Sequence, residues 1–313
     1  MLGKSAGGLY WMFRYLERSE NLARLLEAGF RIALTRSTAA TSEWQSVIAT
    51  AGVTAGFENR YDEYTAANVV DYLLRDRDNA SSVRAVTEQA RTNARLVRTA
   101  LTREVWEATN ECWMVISQTL QRPIRERDLP EVLAVIKQQS TLVRGTLVGT
   151  MLRNDIYNFA RLGTFIERAD NTARILDVKY YVLLPSLSHV GSSLDNVQWE
   201  TILRSVSANR SYRWLNGENI NPSGIADFLI LDRSMPRSLA HCIQETRANL
   251  IQLSTQYEER KPSHDCVEKI FETLDKRSID SILASGLHEF LKNFIQGISE
   301  LSSQIEQDYR FYS

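Results

Sequence analysis

Glu17 and Glu167 are each followed directly by Arg, with Asn four positions on and Arg seven positions on. Two carboxylates buried near each other can do acid–base work, one of them holding its proton at neutral pH. The guanidinium groups of Arg18, Arg24, Arg168 and Arg174, with the amides of Asn21 and Asn171, offer donors and acceptors for an anionic or peptide-like ligand. Equally, each Glu can be neutralised by a neighbouring Arg in a structural network, and the sequence by itself favours the network.

The element that must carry these groups is a helix. At about 100° per residue, Glu17, Asn21 and Arg24 fall within roughly 60° of one another and form one row. Tyr10 and Arg14 lie further up that side, and Leu22, Leu25 and Leu26 form the core-facing stripe of an amphipathic helix. The stretch Glu17 to Leu26 returns at Glu167 to Leu176 with six of ten positions identical. Thr164 stands above the second row. A solvated face would accept Lys, Gln or Ser equally well, so the repetition points inward. Either two polar helices face each other inside the fold, or the rows line a polar cleft.

The periodicity predicts a long helix from residue 9 to about 35, a second around Trp44 to Ile48, and a loop with Gly52 and Gly56. A short helix over 66–76 follows. Ser81 or Asn79 then caps a long helix to about residue 110, with further helical sequence to Leu120. Arg122 to Asp128 reads as a loop, Pro130 as a first-turn proline, and the run to about Leu184 as at least two helices ended by Pro185.

After Pro185 the first half replays. Trp199 to Leu203 echoes Trp44 to Ile48, Asp227 to Arg233 echoes Asp71 to Arg77, and Arg247 and Asn249 echo Arg91 and Asn93. The offsets drift only from 150 to 156. This order predicts one all-α domain over 1–313, a large helical bundle duplicated as approximately 1–150 and 151–313 with pseudo-twofold symmetry. The pairs Asp76-Arg77 and Asp232-Arg233 precede helix starts. Each reads as a cap with an Asp–Arg bridge, or, in the second with Pro236 in the first turn, as an anion site of Arg233, Arg237 and free amides.

Composition narrows the function classes. With 37 basic and 38 acidic residues, the net charge of −1 disfavours a dedicated nucleic-acid binder. Cys112, Cys242 and Cys266 read as buried thiols of a reducing cytoplasm. No uncharged apolar run of membrane-spanning or signal-peptide length occurs. None of His189, His241, His264 or His288 follows a Glu at three residues, which disfavours a carboxylate-bridged metal pair. His264 and Cys266 are too close on a helix to face each other as a nucleophilic pair. No phosphate-binding Gly loop is present, and the sequence calls for no cofactor or metal.

Leu9 to Met12, Arg14 to Arg18 and Glu20 to Leu26 resemble the opening of the alpha-E domain family, bacterial all-helical proteins named for a Glu-Arg motif. The resemblance continues through Arg103 to Glu107, Phe165 to Asp170, Leu231 to Arg233 and Pro236 to Ser238. The sequence departs from the usual pattern at Phe13 and at Gly7-Gly8. The resemblance implies gene neighbours encoding an ATP-grasp-type ligase and a transglutaminase-like protein, hence a role in making or modifying amide bonds. It carries over Glu17, Arg18, Asn21, Arg24, Glu167, Arg168, Asn171 and Arg174 as motif residues.

The expected function is an accessory protein that binds such a ligase, or its peptide or amino-acid substrate, through the paired Glu-Arg helices. The alternative is an enzyme on a small peptide or acyl substrate with Glu17 and Glu167 as acid–base groups. A tRNA or nucleotide binder fits the charge balance least, and a homo-oligomer is left open.

Overall fold

The structure, a computed structural model, describes residues 1–35, 40–182, 193–217 and 221–312. Pro185 and His189 lie outside the described residues. Among the described residues there are fifteen α-helices and no strand. Two compact units divide the chain, Met1–Glu167 with the end from Tyr309 onward, and Arg168–Asp308.

The first unit holds α1 (Gly3–Thr35), α2 (Ala40–Ala51), α3 (Thr54–Glu58), α4 (Ala66–Leu74), α5 (Val83–Leu96), α6 (Arg103–Thr119), α7 (Leu129–Thr150) and the start of α8 (Asp155–Val182). α1 is its axis, packed on α2, α4, α5 and α7. Sequence pattern predicts an amphipathic α1, but its polar row is as buried as its Leu stripe. Glu17, Ser19 and Glu20 are 0% exposed. The reason is that neighbours cover α1 on several sides, which leaves Glu17, Ser19 and Glu20 no path to water.

The predicted helix to residue 110 is two helices. A single 3₁₀ turn at Arg98–Ala100 ends the first, and Thr102 turns extended and caps α6 by accepting from the Val105 amide. The α5 cap is Ser82, one residue past the expected Ser81; Asn79 instead accepts from the Ser81 amide in the preceding turn. Gly56 falls inside short α3 rather than in a loop. Pro130 lies in the first turn of α7, as predicted.

The second unit holds the rest of α8, then α9 (Ser193–Ser205), α10 (Asn209–Asn216), α11 (Pro222–Ile230), α12 (Leu239–Tyr257), α13 (Pro262–Asp275), α14 (Ile279–Ser285) and α15 (Leu287–Asp308). α13 packs between α12 and α15, and α11 touches α9, α12 and α14. Pro222 and Pro262 each open a helix, where a missing amide hydrogen costs nothing. Pro236 lies two residues before the α12 cap Ser238, not in the first turn as expected.

Asp76 and Asp232 organise matching turns. Each carboxylate accepts a local backbone amide, and Ser82 and Ser238, six residues on, donate to the Asp carbonyl while capping the next helix. Neither Asp bridges the Arg beside it. Asp76 pairs with Arg60 at 3.1 Å, and Arg233 pairs with Asp275.

Candidate functional site

Gly163 on α8 allows the backbone of α8 to touch α1: a Cβ there would stand 2.1 Å from the Tyr10 carbonyl oxygen. One turn further along both helices, Glu167 meets two arginines of α1, Arg18 of the first motif copy and Arg14 just before it. Arg18 donates through Nε at 2.5 Å and through Nη2 at 2.9 Å, and Arg14 donates through Nε at 3.0 Å. Both contacts advance together along the chain, so α1 and α8 run parallel here. The Glu167 side chain is 6% exposed. Burial alone would raise its pKa, but the charges of Arg18 and Arg14 outweigh burial and hold it down, at about 2. The carboxylate is ionised at neutral pH, and three guanidinium N–H groups are directed at its two oxygens.

Glu17 faces the other way, to α7. Its Oε2 accepts from Arg144 at 3.0 Å, and the same guanidinium pairs with Glu20. Glu20 also takes both donors of Arg24 on one oxygen, at 2.8 and 2.6 Å. Further along this seam Ser19 and Ser140 share a 2.9 Å hydrogen bond, and Lys137 reaches Glu27 at 2.6 Å. Residue numbers rise on α1 as they fall on α7, so these helices are antiparallel. The first motif copy thus binds α7 through Glu17 and Glu20 and α8 through Arg18.

Aromatic rings stand against the network. Arg14 lies over the Trp11 ring at 4.7 Å, Trp11 and Tyr15 rings are 5.4 Å apart, and Arg18 lies 6.0 Å over Tyr15. Trp11 and Tyr15 form one wall of a groove of about 520 Å³, with Lys4 on α1, Gln89 and Asn93 on α5, and Tyr312. Gly7 brings Phe311 to this wall: a Cβ at Gly7 would lie 2.8 Å from the Phe311 Cβ. Phe13 is fully buried. The departures at Gly7-Gly8 and Phe13 are therefore packing features.

The second copy keeps one internal feature of the first. Arg174 donates to Asp170 at 2.7 and 3.1 Å, as Arg24 does to Glu20. Arg168 donates to the Pro236 carbonyl at 3.3 Å, and Asn171 is half-buried. Arg233 reaches Asp275 and lies over the Phe271 ring, while Arg237 is buried. The amides that an anion would need at the α12 start are occupied, those of Ser234 and Met235 by Asp232 and that of His241 by Ser238.

Arg144 is the network member that sequence reasoning missed. A signal existed: Lys137 and Arg144 are the only charged residues between Glu131 and Arg153, seven apart and so on one helix face. The His288–Asp177 contact at 2.6 Å was also missed, because residues 111 apart give no local pattern. His264 is buried with Nε2 on the Leu250 carbonyl at 2.8 Å, tied to packing and not to Cys266. Cys112 and Cys242 are buried and Cys266 only partly so. Burial pushes the Cys112 thiol up to about 12, which makes it inert. Among the described residues no group of three or more His, Cys, Asp or Glu is arranged to hold a metal ion. No described helix is long and apolar enough to cross a membrane.

Uncharacterised proteins of Mycobacterium bovis and Mycobacterium tuberculosis are similar to the chain, each 24% identical over 322 residues. The match covers 93% of this chain and 34% of each relative, so the chain spans about a third of the length of these curated relatives. No solved structure matches. The profile of a family described as a predicted alpha-helical domain with a conserved ER motif matches residues 1–310, a range that holds both Glu17-Arg18 and Glu167-Arg168. The chain belongs to the Alpha-E family.

Proposed function

We propose that this chain is a non-catalytic accessory module of an amide-ligase system of the ATP-grasp type, acting in the cytoplasm. It binds the ligase, or the ligase's peptide or amino-acid substrate, on the surface braced by the Glu-Arg helices. A transglutaminase-like protein is a second partner of the same system. The observation that carries this reading is Glu167, buried, ionised and gripped by two arginines. An acid–base group needs a pKa near the working pH and a path to the substrate; the Glu167 pKa is held far below neutrality and both of its oxygens are engaged by Arg14 and Arg18. The arginines that neutralise it also support Trp11 and Tyr15, so the network shapes the groove rather than reacting in it. The alternative, catalysis by Glu17 and Glu167, draws no support from this geometry.

The test is co-purification with an ATP-grasp-type ligase from the same organism. A stable ratio that is lost in Trp11→Ala and Tyr15→Ala supports the proposal; no association under gentle conditions contradicts it. If Glu17→Gln and Glu167→Gln stay folded and abolish product in a reconstituted reaction, the enzyme reading replaces it.

We further propose that the two halves arose by duplication of a unit of roughly 150 residues and keep a pseudo-twofold relation. The paired Asp76/Ser82 and Asp232/Ser238 turns support this, as does the shared order of helices from α1 and from α8. An experimental structure in which the two halves fail to superpose beyond single helices would contradict it.

A further inference from the structure

On α13 every acid has a partner. Asp265 meets Arg260 at 2.9 Å, Glu268 meets Arg247 at 2.8 Å, Glu272 meets Lys276 at 2.6 Å, and Asp275 meets Arg233. Two charges immediately beyond this matched set behave differently. Among the described residues Arg277 pairs with no carboxylate and Glu289 with no cation. They do not pair with each other, yet both line one cavity of about 330 Å³ between α13 and α15. Arg277 is held by the Ser285 hydroxyl at 3.5 Å and by the Phe290 ring, 5.8 Å from its centroid. Ile270, Phe290 and Phe294 line the same cavity.

A cation and an anion that line one cavity without pairing, together with apolar side chains, are complementary to a ligand carrying both opposite charges and an apolar group. We infer that this cavity binds a free α-amino acid with an apolar side chain. Arg277 takes the α-carboxylate through its planar fork, and Glu289 takes the α-ammonium. The side chain lies on Ile270, Phe290 and Phe294, and Asn293 supplies a further amide at the rim. The volume is at the small end of ligand cavities and suits a single amino acid. The site is built within the second unit and does not rest on the groove of the first.

The test uses the full chain and four probes in calorimetric or saturation-transfer titrations: L-phenylalanine, L-leucine, N-acetyl-L-phenylalanine and L-phenylalaninamide. The expected result is saturable binding of the two free amino acids, with each blocked derivative weaker by roughly tenfold or more, as for loss of one charged hydrogen bond. Arg277→Gln and Glu289→Gln, both at exposed positions, each weaken L-phenylalanine to a similar degree while circular dichroism stays unchanged. No saturable binding of either free amino acid overturns the assignment. So does equal affinity for N-acetyl-L-phenylalanine with no effect of Glu289→Gln, which would mark a simple anion site.

Discussion

Arg18 clasps Glu167 across 149 residues of chain, with Nε and Nη2 each on its own carboxylate oxygen. The Arg of the first ER pair thereby neutralises the Glu of the second, and the repeated motif is a join between α1 and α8. Removing one partner of such a pair leaves the other charge buried and uncompensated. Glu167→Ala is therefore expected to lower stability by about 3–5 kcal/mol in urea denaturation. The double variant with Arg18→Ala should lose less than the sum of the two single losses.

Arg144→Ala should cost a similar amount, about 3–5 kcal/mol, because it takes one guanidinium away from two buried carboxylates, Glu17 and Glu20. Arg103→Ala is the control. Arg103 and Glu107 are 83% and 56% exposed in their side chains, and solvent screens such a pair, so the variant should be nearly as stable as the wild type. Equal losses for the two variants would contradict the buried seam between α1 and α7.

The helical class and Pro130 were legible in the sequence because they rest on local periodicity and helix-start chemistry; that the run to about Leu184 holds more than one helix followed from its length, which does not place the break between α7 and α8. The cap at Thr102 was not, since Leu101 and the apolar steps around it continue the helical pattern across the turn. The row of Glu17, Asn21 and Arg24 was legible as a row, but its surroundings were not. Which residue neutralises Glu17 depends on α7 lying antiparallel on α1, a long-range fact that spacing along one helix does not encode. Arg14 entered only as a neighbour on the same side, and its carboxylate lies 153 residues away.

Acid should weaken the fold in a defined window. The Glu167 pKa is depressed from an ordinary 4.5 to about 2 in the folded state. The unfolded chain therefore takes up the proton first. The stabilisation is fully present above about pH 4.5 and is lost as pH falls toward 2, a contribution on the order of 3 kcal/mol. Comparing urea midpoints of the wild type and Glu167→Gln between pH 7 and pH 3 checks this. The gap between them should narrow with acid, and a constant gap would contradict the assignment.

Two helical glycines should respond in opposite directions to alanine. Gly163→Ala places a Cβ 2.1 Å from the Tyr10 carbonyl and must push α8 off α1. A loss of about 2–4 kcal/mol is expected, as for overpacking that moves backbone. A Cβ at Gly145 on α7 would meet nothing within 4 Å, so Gly145→Ala should gain up to about 1 kcal/mol from helix propensity. Thermal melts of the two variants decide the matter.

On the proposed function the Glu-Arg motif is an ionised brace and not an acid–base site. The most direct measurement is the titration of the Glu167 carboxyl by ¹³C NMR in the intact chain, with the resonance assigned from Glu167→Gln. The account predicts a carboxylate that stays ionised through neutral pH and down toward its pKa of about 2. A titration midpoint near neutrality would show a carboxyl that holds its proton at working pH, and would contradict it.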